Sequence, residues 1–70
     1  MADVERIVAE VLQLDREDVS PDLQRDDVEN WDSLGHLRII AELEEQLQIT
    51  IPIEDFGHIQ RVGDFEKYLR

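Results

Sequence analysis

The stretch Asn30-Trp31-Asp32-Ser33-Leu34-Gly35-His36-Leu37-Arg38-Ile39-Ile40-Ala41-Glu42-Leu43-Glu44-Glu45-Gln46-Leu47-Gln48 decides the fold. From Ser33 to Gln48 the apolar residues recur with a helical period, and either Asp32 or Ser33 serves as the cap. On a helical wheel with Ser33 at zero, His36, Ile39, Ile40, Leu43 and Leu47 fall between about 240° and 340°. Leu34, Leu37 and Ala41 form a second sector between about 40° and 100°, which also carries Glu44 and is bordered by Glu45. Together the two sectors exceed the stripe that a surface helix needs for its own core. Two readings stand at this point: a central helix packed on several sides, or a helix that keeps part of its apolar surface for docking.

Upstream, Val4, Ile7, Val8, Val11 and Leu12 mark a first helix over residues 3–14, with Asp3 as its cap and Glu5 near the positive end of the dipole. Between Asp15 and Asp32 the periodicity disappears. Pro21 and the cluster Asp22, Asp26, Asp27, Asn30 and Asp32 read as a long ordered loop with one helical turn, pinned to the core by Val19, Leu23, Val28 and Trp31. The aspartates do not follow a calcium-loop spacing, since no glycine lies between Met1 and Leu34.

Downstream, Thr50-Ile51-Pro52 breaks the helix, and Pro52 suits the first position of a one- or two-turn segment over 53–58. Ile59 and Val62 anchor the connection to a last short helix over 63–69, where Phe65 and Leu69 pair at i, i+4 beside Tyr68. Arg61 is a poor cap for that helix, so its start is expected to fray. The reading is one all-α domain over residues 1–70, a small three-to-four-helix bundle with a long ordered loop between its first and second helices.

Composition narrows the function classes. Eighteen Asp and Glu against seven Lys and Arg leave a net charge of −11 in a chain of 70 residues. Nucleic acid and anionic membrane surfaces are therefore poor partners. With no cysteine the protein supplies no thiol, disulfide or thiolate metal site of its own. No apolar run approaches the roughly 20 residues of a membrane span, and Met1-Ala2-Asp3-Val4-Glu5-Arg6 lacks the character of a signal peptide. The expectation is a cytoplasmic monomer.

Self-sufficient catalysis is disfavoured as well. His36 and His58 belong to no metal-ligand spacing, and nucleophile-elbow and phosphate-loop motifs are absent. Neither a catalytic residue nor a metal ligand is assigned. Ser33 is the informative side chain, a hydroxyl at a helix N-terminus, where unpaired backbone N–H groups favour an approaching anion. By local chemistry alone, capping is its commoner role. No base stands near it in sequence, so it could act as a nucleophile only if another protein supplied one. His36 reads as a packed residue whose protonation the helix N-terminus disfavours.

Asp32-Ser33-Leu34, preceded by the long loop and followed by Leu37, Ile40, Leu43, Glu44, Glu45 and Ile51-Pro52, resembles the acyl carrier proteins over nearly the whole chain. That resemblance implies 4′-phosphopantetheine attached to Ser33 through a phosphodiester by a phosphopantetheinyl transferase that uses coenzyme A and magnesium. It implies acyl or aminoacyl cargo carried as a thioester to loading and downstream biosynthetic enzymes. Asp32 and Leu34 would flank the transferase site, and Leu37, Arg38, Ala41, Glu44 and Glu45 would form the partner face. Gly35 and Arg38 stand where fatty-acid carriers usually have acidic residues. Trp-Asp-Ser-Leu-Gly-His is more similar to free-standing carriers of polyketide, nonribosomal-peptide or other specialised pathways. The competing expectation is an acidic helical adaptor that binds a basic protein and shares only the carrier fold.

Overall fold

In the computed structural model, which describes residues 3–69, the first apolar stripe forms helix α1, Asp3–Leu12. Val4, Ile7, Val8 and Leu12 are buried as the spacing requires; Ala9 joins them, while Val11 is only half-buried. Because Asp3 is the first described residue, the cap of α1 falls outside the described residues. The helix stops two residues short of the expected position 14. Gln13 turns left-handed at φ 59°, and the Leu14 N–H closes back on the Ala9 carbonyl at 2.9 Å. This six-residue closure satisfies a carbonyl that the helix end would otherwise leave unpaired.

The loop that follows holds two 3₁₀ turns rather than one, Arg16–Asp18 and Arg25–Asp27. Val19 and Trp31 are buried in the core, with Leu23 and Val28 packed at its edge. Backbone pairing with the far end of the chain gives the loop its order. Arg25 N–H donates to the Gln60 carbonyl at 2.7 Å, Val62 N–H to Leu23 at 3.0 Å and Gly63 N–H to Pro21 at 2.9 Å. Gln24 and Arg61 thereby form an isolated antiparallel bridge.

Helix α2, Ser33–Leu47, packs against α1 and buries Ile39, Ile40 and Leu43 in the core. It ends at Gln48, left-handed at φ 56°, whose side-chain amide donates to the Glu45 carbonyl at 3.0 Å. The Glu44 carboxylate receives the Ile51 N–H at 3.0 Å and so fixes the returning chain, allowing Ile51 to enter the core. Pro52 then stands just before the next segment instead of opening it. That segment is a 3₁₀ helix, Ile53–His58, and a second one spans Val62–Tyr68. The two are joined by the Tyr68 hydroxyl donating to Asp55 at 2.8 Å.

The last helix is better secured than its sequence suggests. Asp64 reaches back to accept the N–H groups of Gln60 at 2.9 Å and Arg61 at 3.2 Å, so the carboxylate supplies the cap that Arg61 lacks. The expected i, i+4 pairing of Phe65 with Leu69 is not formed along a helix: the segment is 3₁₀, in which i and i+3 align, and Leu69 follows it in extended backbone. Phe65 and Val62 supply its fully buried side chains. Accepting the Gln60 N–H is the main reason the Asp64 carboxyl titrates below its ordinary range, with Arg61 adding a smaller push against a modest burial penalty.

Asp64→Ala is expected to cost about 1 kcal/mol in urea unfolding at neutral pH, the usual worth of a helix cap. A carboxyl lowered by folding contributes fully above its unfolded pKa, and that contribution is lost as pH falls through the folded value. The gap between variant and wild type should therefore narrow on acidification. An equal gap at pH 7 and pH 3 contradicts this role.

Candidate functional site

The end of the loop is held in place before α2 begins. The Asn30 side-chain amide donates to the Leu12 carbonyl at 3.2 Å, tying residue 30 to the last turn of α1. Next to it, the Trp31 ring is buried and stacks on Phe65 with centroids 6.2 Å apart and planes inclined by 13°. Asp32 then takes the capping role, accepting the Gly35 N–H at 2.8 Å in the extended conformation that an N-cap adopts. This resolves the choice between Asp32 and Ser33. Ser33 is the first residue of α2; it is exposed, and its hydroxyl makes no hydrogen bond among the described residues.

Gly35 explains one departure in the sequence. A Cβ placed there would collide with the Asn30 carbonyl oxygen and come within 3.4 Å of the Asp32 carboxylate. The backbone of residue 30 crosses the first turn of α2 so closely that only glycine fits. An acidic side chain at this position is sterically impossible without moving the loop.

One turn along, His36 is 3% exposed and fully partnered. The Trp31 indole N–H donates to His36 Nδ1 at 2.8 Å, so the proton sits on Nε2, which donates to the Phe56 carbonyl at 2.8 Å. The ring is thus a neutral bridge from the loop, through α2, to the 53–58 segment. Burial is the main cause holding its pKa below the ordinary imidazole range. The Phe56 contact opposes that shift and the nearby positive charge of Arg25 adds to it. The direction matches the expectation, but its chief cause is burial rather than the helix N-terminus. His58, by contrast, is exposed.

Around Ser33 lies a shallow groove of about 210 Å³ lined by Arg25, Ser33, His36, Leu37, Phe56 and Gly57. The elements that form it carry exposed apolar side chains: Leu34 is 66% and Leu37 50% exposed on α2, and Ile53 77% on the 53–58 segment. Arg38, Ala41 and Glu45 are exposed on α2. Glu44 differs from the other residues of the expected partner face, being half-buried with its carboxylate engaged by Ile51. Sequence reasoning missed Arg25, Phe56 and Gly57, which reach Ser33 only through the folding of the loop and the 53–58 segment. A larger cavity of about 630 Å³ involves Leu47–Thr50 and Tyr68. It lies at the other end of α2, roughly 21 Å from Ser33 at 1.5 Å per residue, and does not belong to this site. Among the described residues, no three His, Asp or Glu side chains converge to hold a metal ion, and no helix is long and apolar enough to cross a membrane.

A family profile described as a phosphopantetheine attachment site matches residues 2–69. The chain belongs to the acyl carrier protein family. It is 36% identical over 67 residues to a protein named acyl carrier protein from Helicobacter pylori (strain J99), covering 96% of this chain and 86% of that one. Acyl carrier proteins are carriers rather than catalytic enzymes, and their cofactor is covalent 4′-phosphopantetheine. Phosphopantetheinyl transferases and biosynthetic enzymes are their general partners. The donor chemistry at the head of α2 fits that cofactor, because a phosphodiester requires a reachable hydroxyl not already committed to the fold.

Two outcomes follow from this geometry. Replacing a helical glycine by alanine ordinarily stabilises by about 0.5–1 kcal/mol. Gly35→Ala should instead destabilise by about 1–3 kcal/mol, the usual range for overpacking, and a gain in urea stability would refute the close approach of Asn30. Separately, a histidine kept neutral by folding contributes in full above the unfolded imidazole pKa, about 6.5. Below it the unfolded chain binds the extra proton, so urea stability followed by Trp31 fluorescence should fall between pH 7.5 and pH 5.5. His36→Gln should flatten that fall; an unchanged slope would assign it to other groups.

Proposed function

We propose that Ser33 is the residue to which 4′-phosphopantetheine is attached, and that the chain is a free-standing carrier of acyl or aminoacyl intermediates in a specialised biosynthetic pathway. The observation that carries this reading is the division of labour at the head of α2. Asp32 takes the cap and leaves the Ser33 hydroxyl exposed and uncommitted. The groove's imidazole is not available to take the serine proton: His36 Nδ1 is occupied by Trp31, and its Nε2 faces Phe56. The base therefore comes from the transferase, consistent with a carrier that is a substrate of that enzyme.

When bound, the arm supplies a terminal thiol that holds cargo as a thioester. The chain's own residues present it. Asp32 fixes the first turn of α2, so that Ser33 is offered in one geometry. Leu34 and Leu37 leave apolar surface beside it for the transferase and later partners. Arg38, Ala41 and Glu45 continue this face along the helix, with Glu44 contributing from a half-buried position. The arginine at position 38 and the glycine at 35 support a partner set different from that of fatty-acid enzymes, since a positive charge within the docking face repels basic patches.

Incubation with coenzyme A, magnesium and a promiscuous phosphopantetheinyl transferase should raise the intact mass by one phosphopantetheine. Ser33→Ala should show no increase. A wild-type mass that stays constant, or an increase that persists in the alanine variant, removes Ser33 from this role.

A further inference from the structure

Acid groups outnumber basic ones by eleven in this chain, so an arginine without an acidic partner is conspicuous. Arg6 pairs with Asp3 and Glu10, Arg16 with Glu5, and Arg61 with Asp22 and Asp64. Arg25 and Arg38 form no ion pair among the described residues; Arg38 is exposed on α2, whereas Arg25 stays unpaired although Asp26 and Asp27 follow it directly. The Asp27 carboxylate is turned to the Gln24 N–H at 3.3 Å. Arg25 is also half-buried, and it lines the same 210 Å³ groove as Ser33. Its backbone position is set by the bond from its N–H to the Gln60 carbonyl at 2.7 Å, which anchors the loop to the end of the chain. A partly desolvated cation with no carboxylate paired to it, on a backbone anchored beside the groove, is suited to receive an anion.

We propose that the Arg25 guanidinium binds a phosphodiester oxygen of the arm joined to Ser33, holding the root of the arm over the groove between α2 and the 53–58 segment. This rests on Ser33 being the attachment residue. The phosphodiester is the appropriate anion because it is bonded directly to the serine oxygen and must lie near the groove that Ser33 lines. A carboxylate on the cargo sits at the far end of the arm and has no such constraint. The planar, always-charged guanidinium can donate two parallel N–H groups to the phosphate oxygens. Arg25 thus acts as a positioning residue. It restricts the direction in which the arm leaves Ser33, toward Leu37, Phe56 and Gly57 rather than into open solvent. The net negative charge of the rest of the chain reinforces this preference, since the phosphodiester is repelled from most of the surface and attracted at Arg25.

The test uses the full-length chain loaded with unacylated phosphopantetheine, so that the phosphodiester is the only anion added. Wild type, Arg25→Gln and Arg25→Lys are each loaded, and mass spectrometry on the same samples reports attachment. The ³¹P resonance of the wild type is expected to differ from that of Arg25→Gln, with Arg25→Lys in between. The Arg25 Nε–Hε cross-peak should shift on loading, and high salt should reduce both effects. Coincident ³¹P resonances in all three loaded proteins, with an unmoved Arg25 cross-peak, would overturn the assignment while leaving Ser33 as the attachment residue. Failure of the wild type to gain mass would overturn the attachment reading and this inference together. If Arg25→Gln does not fold, the Arg25→Lys comparison and the wild-type cross-peak still decide the question.

Discussion

The hydrogen-bonded run from the Trp31 indole through His36 to the Phe56 carbonyl is the constraint on which the site depends. Its Trp31–His36 half is buried and its Phe56 end half-buried, so a partner left unmatched would cost the desolvation of a polar group as well as the bond itself. It also ties the 53–58 segment to the junction between the loop and the first turn of α2. Stacking of Trp31 on Phe65 extends the same layer to the terminal helix. With the ring of His36 fixed in one tautomer, the wall of the groove beside Ser33 is fixed too.

A second constraint acts on the backbone. Asn30 ties the loop to α1 through the Leu12 carbonyl, and its own carbonyl presses against Gly35. The residues just before the serine are therefore clamped between two helices. Precision at Ser33 comes from the packing behind it, while the residue itself remains free of intramolecular duties. The modification proposed for Ser33 needs this combination: the hydroxyl must be reachable, and the turn that presents it must not move.

Much of this was legible from residue pattern. The apolar spacing of α1 and α2 and the burial of Trp31, Ile59 and Val62 follow from side-chain chemistry and period, whereas α2 stops at Gln48, ahead of the expected break at Thr50-Ile51-Pro52. The Asp-Ser-Leu setting pointed to carrier chemistry, and the family match agrees with it. What escaped was of another kind. The left-handed ends at Gln13 and Gln48 use glutamine where glycine would announce the turn. The carboxylate of Asp64 caps a helix from inside it, and that of Glu44 serves the backbone of Ile51 although it sits in a sector read as surface. Arg25 is remote from Ser33 in sequence and meets it only because main-chain bonds, which leave no residue signature, dock the loop on the chain end.

Those main-chain bonds have a bearing on how the molecule is made. The bridge between Gln24 and Arg61 joins two segments separated by the whole of α2 and the 53–58 segment. Helices α1 and α2 can form from local contacts as they emerge, but the loop cannot settle until Arg61, Val62 and Gly63 are available to close it. Emergence from the ribosome therefore sets the order of events. The surroundings of Ser33 are completed by residues that follow the whole of α2, and a nascent chain reaches the shape a modifying enzyme would meet only after Arg61, Val62 and Gly63 have emerged.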